Sequence, residues 1–563
     1  MSQDQSITTL DRLVAGAVDG SLSRRELVKR AAALGLGTPM IAALSHLSAG
    51  GSAQAQGEVT LSFDAGCTGG GGGKPTEDIL AYCRIINGGS QFELDRMVDI
   101  RLVTLSADLQ SYVGELAESW DIAGTTATFK LRPNATWHDG EPLTARDVVF
   151  TINLLATPAS KSRWGVTFRS VKGYQELQDG TATSLAGVTA PDDTTVVIDL
   201  TQPDSGLLPG FMFISIIPEH IFKDADLSKV CEHPNWTQNR VGAGPFKMVR
   251  LLPNERIEME AFDNYVLGRP KIDKLNLLFF QSFETSLAAF QQQTSYAAPM
   301  TVLNLDLVQS LDFADIITTP AGVGAIWINT AQPDWSDKRA RQALSYAIDR
   351  KTICESLFRG YADPVSTEIP YLAWTQPPDL NPYDYDPDKA KALLQEAGWK
   401  GDKTYTLWYY YPDQLTATVM EAVQQYLAEV GIKVELRFDD GSGARQKEFD
   451  EGAWMLIYGS YGAQPAPSNL SVIWGCQARK TWTYCNPEFD AAMEAALRTY
   501  NQDEQAQYYQ KAIKILNEEL PWVWLFNRKN LIAVNKKLHT GDPPSFGPGH
   551  ILYANNAHLW TVE

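Results

Sequence analysis

The stretch GELAESWDIAGTTATFKLRPNATWHDGEPLTARDVVFT, residues 114–151, decides how the rest of the chain is read. Ser119-Trp120-Asp121-Ile122 leads into a turn at Ala123-Gly124-Thr125. From Ala127 to Arg132 apolar and polar residues then alternate, as they do in a half-buried strand. Trp137-His138-Asp139-Gly140-Glu141-Pro142 follows, punctuated as a turn by its Gly and Pro. Thr144 is placed to cap a helix, with Asp147 three residues on, and Val148, Val149, Ile152 and Leu155 share one apolar face. The stretch therefore predicts a hairpin, a turn and a helix, and no catalytic chemistry.

The ordered run W-x8-F-x-L-R-x4-W-H-D-G-x-P-L-T-A-x-D-V-x-F within it resembles the signature region of family 5 bacterial extracellular solute-binding proteins. Further segments resemble the family in family order. They are Ile217-Pro218-Glu219-His220-Ile221-Phe222, Gly242-Ala243-Gly244-Pro245-Phe246, Tyr265 to Asp273, and the helix pattern from Arg341 through Ala347-Ile348-Asp349-Arg350. Read by themselves these segments are turns and packing. The resemblance implies an α/β, two-lobed periplasmic-binding-protein fold (type II, three-subdomain cluster) with two interlobe crossings, expected near Gly322–Trp327 and Trp524–Asn530. It also implies a lobe I core from 56–89, 240–322 and 528–563, an extra subdomain from 90–239, and lobe II from 323–527. The implied role is the periplasmic substrate-binding component of an ABC importer. Such a component is a monomer that delivers a small-molecule solute to permease subunits, needs no cofactor or metal, and meets the membrane only through the permease.

Composition agrees with that class. The chain has 563 residues, 44% hydrophobic and 20% charged, too many for one ordinary core. A net charge of −19 argues against a nucleic-acid partner, which needs a basic face. Residues 1–55 read as an export leader. Ser23-Arg24-Arg25-Glu26-Leu27 resembles a twin-arginine motif, Ala31 to Leu44 is uncharged, and Ala53-Gln54-Ala55 resembles a cleavage site, so cleavage is expected near Ala55-Gln56 with the mature protein in the periplasm. Beyond it no stretch reaches the length of a membrane span. In that oxidising compartment the six cysteines are open to pairing. Some peptide-binding family members carry a bridge in the region of Cys476 and Cys485, so these two are expected to pair. Cys67 with Cys83 comes next, Cys354 is read as a buried free thiol, and Cys231 is left open.

Enzyme signatures are missing. The seven histidines include no H-E-x-x-H, Gly459-Ser460-Tyr461-Gly462 has the wrong spacing for a nucleophile elbow, and no C-x-x-C pair occurs. The Gly69–Gly73 tract fails as a phosphate loop because Pro75 stands where Ser or Thr would hold magnesium. A glycoside-active enzyme with paired carboxylates, or a periplasmic ligand-binding sensor, remains the alternative class.

The ligand is read from a departure. Dipeptide-type family members hold the ligand ammonium with an acidic residue where this chain has Ala463 and Ala466, and a carboxylate-binding arginine is missing near Tyr409–Tyr411. A desolvated ammonium without a counter-charge costs several kcal/mol. What stands there is aromatic and amide-bearing: Tyr409, Tyr411, Tyr458, Tyr461, Gln464, Asn469 and Trp474, with Tyr411, Tyr461 and Trp474 expected on loops. Rings and neutral hydrogen-bonding groups suit an oligosaccharide or opine-like conjugate, with an oligopeptide as the alternative.

Overall fold

Two strands much longer than the others organise the molecule. In the computed structural model, which describes residues 57–64, 92–106, 111–162, 164–236, 240–252, 255–280, 283–370, 372–411, 413–462, 467–476, 484–541 and 556–563, one runs from Ala314 to Ile328 and the other from Trp522 to Asn535. The leader, Cys67, Cys83 and the glycine tract lie outside the described residues.

In chain order the strands of the main sheet are β1 (Glu58–Asp64), β2 (Phe246–Leu252), β3 (Arg256–Ala261), β4 (Lys274–Phe280), β5 (Ala297–Met300), β6 (Ala314–Ile328), β7 (Ala362–Pro364), β8 (Thr404–Tyr409), β9 (Lys433–Phe438), β10 (Leu456–Gly462) and β11 (Trp522–Asn535). Their spatial order is β9-β8-β10-β6-β11-β5-β1-β4-β3-β2, with β7 added on β11. The long pair is antiparallel and belongs to both ends of this sheet. Ala314–Thr319 of β6 pairs with Asn535–Asn530 of β11, and the same end of β11 pairs with β5. Past irregularities at Pro320/Gly322 and Gly324/Ala325, β6 pairs instead between β10 and the Arg528–Trp522 end of β11. The long pair thus links the two ends of the sheet by two strands, and a two-stranded link can serve as a hinge. The apolar run Trp522–Phe526 is only the first part of β11, which continues to Asn535.

Each lobe has its own buried core. One gathers Trp335, Trp454, Phe489 and the inner faces of β6, β8 and β10; another packs Val59, Phe246, Leu275, Val534 and Trp560. The third core belongs to the subdomain, a four-stranded antiparallel sheet of Ala117–Ala123, Thr126–Leu131, Thr195–Asp199 and Val188–Asp192 around Phe129 and Trp137.

Local signals explain the helices. Thr144 and Asp147 form the expected reciprocal capping box on Ala145–Ala156. Asp386 accepts from the Lys389 amide at the start of Pro387–Glu396, and Asp413, Asn486 and Asn501 cap Gln414–Glu429, Pro487–Leu497 and Gln502–Glu519 in the same way.

Candidate functional site

The signature residues hold one another. The His138 backbone N–H donates to Gly242 O at 2.8 Å, the Gly242 N–H reaches Nδ1 at 3.3 Å, and Nε2 lies 3.0 Å from Gly244 O. That arrangement requires neutral imidazole, and burial lowers the His138 pKa from its ordinary value to about 4. Asp147 accepts from the Thr144 and Glu219 amides, Thr151 Oγ1 accepts from the Ile217 amide, and His220 Nε2 sits 2.8 Å from Asp139 Oδ2. Beside Gly242, Arg240 Nη2 is 2.6 Å from Asp95 and 2.7 Å from Asp99, all three buried. A Cβ on Gly242 would lie 2.0 Å from Val98 O, so only glycine fits. The W-H-D-G, T-A-x-D, I-P-x-H and G-x-G-P segments are one packed unit with no room for a ligand.

The open space lies elsewhere. A cavity of about 430 Å³ is lined by Tyr112, Trp120 and Leu208 from the first half of the chain and by Trp374, Tyr500 and Tyr509 from the second. Its volume suits a small solute. The two sides are tied at one edge by the Pro203–Gly206 turn. Ser205 N–H donates to Leu497 O at 2.9 Å and Ser205 Oγ to Ala496 O at 3.2 Å. Arg498 Nη1 donates to Pro203 O at 2.8 Å. Tyr500 Oη accepts from the Asp204 amide and donates to Gly124 O, both at 3.2 Å. Asp204 is itself buried and shapes the turn, accepting from Ser170 Oγ at 2.6 Å and from the Gly206 amide at 2.9 Å.

The sequence candidates fall around the hinge rather than on this cavity. Tyr411 and Tyr458 are buried and their ring centroids are 6.1 Å apart; Tyr409 is half-buried on β8. Tyr461 belongs to strand β10, not to a loop, because it continues the pairing with Val323; its side chain and all of Gln464 lie outside what is described. Asn469 precedes the helix Leu470–Trp474, and Trp474 ends that helix fully buried instead of standing on a loop. A disulfide joins Cys476 to Cys485. Cys354 is free and buried, and Cys231 is disulfide-bonded. Trp327 extends the hinge aromatics, stacked on Trp522 at 5.0 Å and 6.1 Å from Tyr410. A Cβ on Gly459 would lie 2.3 Å from the Trp327 ring, which explains glycine there.

Two charged groups escaped the sequence reading. Arg528 on β11 places its guanidinium 5.2 Å over the Tyr411 ring, and its buried Nε has no partner among the described residues. Glu368, in the loop after β7, is 2% exposed. It accepts a hydrogen bond from Trp474 Nε1 through Oε2, while Oε1 has no partner among the described residues. Burial pushes its carboxyl up to about 8, against the lowering effect of the Trp474 bond. Each lies far in sequence from its partner, Tyr411 for Arg528 and Trp474 for Glu368; β-pairing and loop packing bring them together. Among the described residues no cluster of His, Cys, Asp and Glu could hold a metal ion, and no helix is long and apolar enough to cross a membrane.

The family model for bacterial extracellular solute-binding proteins, family 5, matches residues 111–481. The chain belongs to that family. Family 5 solute-binding proteins are transport binding proteins, and this member is the substrate-binding component of an ABC importer. It is 30% identical, over 82% of its length and 87% of the relative's, to a Brucella melitensis protein provisionally named an ABC transporter peptide-binding protein. It is 27% identical to the glutathione-binding protein GsiB of Pectobacterium atrosepticum, covering 76% and 82% of the two chains. The solved oligopeptide-binding protein AppA of Bacillus subtilis, in complex with a nonapeptide, superposes with a TM-score of 0.77 at 21% identity, over 90% of this family 5 chain and 99% of AppA.

Proposed function

We propose that this chain captures a short peptide-like solute between its lobes in the periplasm and hands it to permease subunits. The cavity of about 430 Å³ walled from both halves of the chain carries this reading, because a ligand touching both sides favours closure. The relatives named for peptide or glutathione binding support the peptide class. So does Arg528, a half-buried cation beside Tyr411 in the region where the neighbouring sequence offered none to a ligand carboxylate. The preference for an oligosaccharide or opine-like ligand rests on missing charges; Arg528 and Glu368 are charges of both signs from distant segments, outside the lining of the cavity. Tyr112, Trp120, Trp374, Tyr500 and Tyr509 would also suit sugar faces, which keeps the oligosaccharide as the second reading. In the same proposal the lobe limits are those drawn from the sequence, residues 1–55 direct export by the twin-arginine route, and the mature protein is a monomer.

Titration of intrinsic tryptophan fluorescence with a tripeptide panel and an oligosaccharide panel tests the ligand class. Micromolar binding of tripeptides is expected. Saturable binding of oligosaccharides with no response to any peptide would sink the peptide reading.

A further inference from the structure

We propose that the cavity lined by Trp120 and Tyr509 is a charge filter on side chains: it admits peptides with aromatic and basic side chains, rejects acidic ones, and takes its sign from Asp121. The proposal deepens the peptide reading above and rests on it. Among the described residues the lining carries two carboxylates, Asp121 and Asp204, and no lysine, arginine or histidine. Arg498, at the latched edge, is committed to Pro203 O at 2.8 Å and to Glu494 at 2.9 Å. An acidic side chain entering here gives up water and meets like charge with no partner to offset it.

The two carboxylates differ in what they have left to offer. Asp204 is buried, and its oxygens already accept from Ser170 Oγ and from the Gly206 amide. Asp121 is exposed, and among the described residues it has no ion pair and no side-chain hydrogen bond. Its carboxylate is open to a lysine or arginine side chain through a charge-assisted hydrogen bond. Asp204 deepens the negative field; Asp121 is the group a basic side chain can reach.

The rings act in the same direction. Trp374 meets Tyr509 edge-on, with centroids 5.7 Å apart. Tyr509 is 2% exposed, and its hydroxyl, in the cavity lining, has no hydrogen-bond partner among the described residues. Burial raises the Tyr112 and Tyr509 hydroxyls, so both stay neutral and can donate. Ring faces carry negative charge density, so they stack on aromatic side chains, attract cations and repel anions. The filter reads side chains rather than the terminal groups that every free peptide carries.

The experiment is isothermal titration calorimetry of the mature chain at neutral pH, in low and in high salt, with Lys-Trp-Lys, Gln-Trp-Gln and Glu-Trp-Glu. These probes share their termini and their aromatic centre. In low salt, wild type is expected to bind Lys-Trp-Lys at least about fivefold tighter than Glu-Trp-Glu, with Gln-Trp-Gln between them. High salt should shrink that ratio, because Asp121 is exposed and its charge is screened. In low salt the ratio should narrow in Asp121→Asn and vanish in Asp121→Lys. Asp121 has no partner to lose, so thermal unfolding of the ligand-free variants should match wild type and show that they are folded; the salt series needs no variant at all. A smaller wild-type ratio, a ratio that salt leaves unchanged, or one unchanged in Asp121→Lys overturns the filter and leaves peptide capture standing. If maltotriose binds and none of the peptides does, the peptide reading falls and the filter with it. If no probe binds, both fall.

Discussion

At the residue scale, His138 and Glu368 are both buried and titrate in opposite senses. The folded-state pKa of His138 is lowered from 6.5 to about 4, so its contribution to stability is present above pH 6.5 and is lost as pH falls towards 4. By the conversion of about 1.4 kcal/mol per pKa unit this is on the order of 3–4 kcal/mol. Replacing His138 with Gln should therefore flatten the fall in Tm between pH 6.5 and 4.5, though not abolish it, since burial also lowers His558 to about 4. An unchanged slope would mean the ring is not held neutral by the Gly242–Gly244 turn. Glu368 works the other way. Its folded-state pKa is raised from 4.5 to about 8, so its contribution is fully present below 4.5 and is lost as pH rises through 8. Glu368→Gln is expected to gain Tm relative to the ligand-free wild type as pH rises from 5 to 8, by the equivalent of about 2–4 kcal/mol. A Tm difference independent of pH would show that Oε1 is satisfied. The two residues also differ in legibility. His138 lies inside a motif whose neighbours announce a turn, so its packing role is readable. Glu368 sits in Ser-Thr-Glu-Ile-Pro, where nothing local distinguishes it from a surface carboxylate; only burial against Trp474, 106 residues away, does.

At the element scale, capped helices were legible because their signals are local: Thr144 with Asp147, and Asp386 before Pro387, act within one turn. Strand length was not. Trp522–Phe526 reads as a short run because the polar Asn527-Arg528-Lys529-Asn530 interrupts it, yet pairing with β6 carries the strand through to Asn535. Tyr461 and Trp474 were misplaced for the same reason, since long-range pairing and packing override local turn signals. The latch between Pro203–Gly206 and Leu497–Tyr500 is also long-range. Its bonds to Arg498 and Tyr500 come from partly exposed side chains, so they bias closure more than they stabilise either lobe. Ordinary hydrogen bonds contribute about 0.5–1.5 kcal/mol net and charge-assisted ones about 1.5–3. The double substitution Arg498→Ala, Tyr500→Phe should therefore raise the ligand Kd by roughly 10- to 100-fold with little change in Tm of the ligand-free protein. An unchanged Kd would show that closure does not depend on this edge.

At the scale of the whole molecule, the lobes share one sheet, so opening must bend β6 and β11 rather than separate two surfaces. Most of the pair is flanked on both sides: Leu531–Val534 lies between β6 and β5, Phe526–Arg528 between β6 and β7, and Gly322–Trp327 between β11 and β10. Within this ladder the register slips at Pro320/Gly322 and again at Gly324/Ala325, and Gly322 has φ of 139°, open to glycine and strained for other residues. Bending concentrates where the ladder is already irregular. Hydrogen exchange should therefore be faster at the amides of Gly322–Gly324 and Asn527–Arg528 in the ligand-free protein, and slow when a saturating ligand holds the lobes shut. At 100 times Kd the ligand adds about 2.7 kcal/mol of stability, enough to slow exchange through opening by about a hundredfold. The Ile316–Thr318 and Leu531–Ala533 amides, inside the braced part, should stay protected in both states. Ligand-independent protection along all of β6 and β11 would rule out bending at this point and place the motion outside the shared sheet.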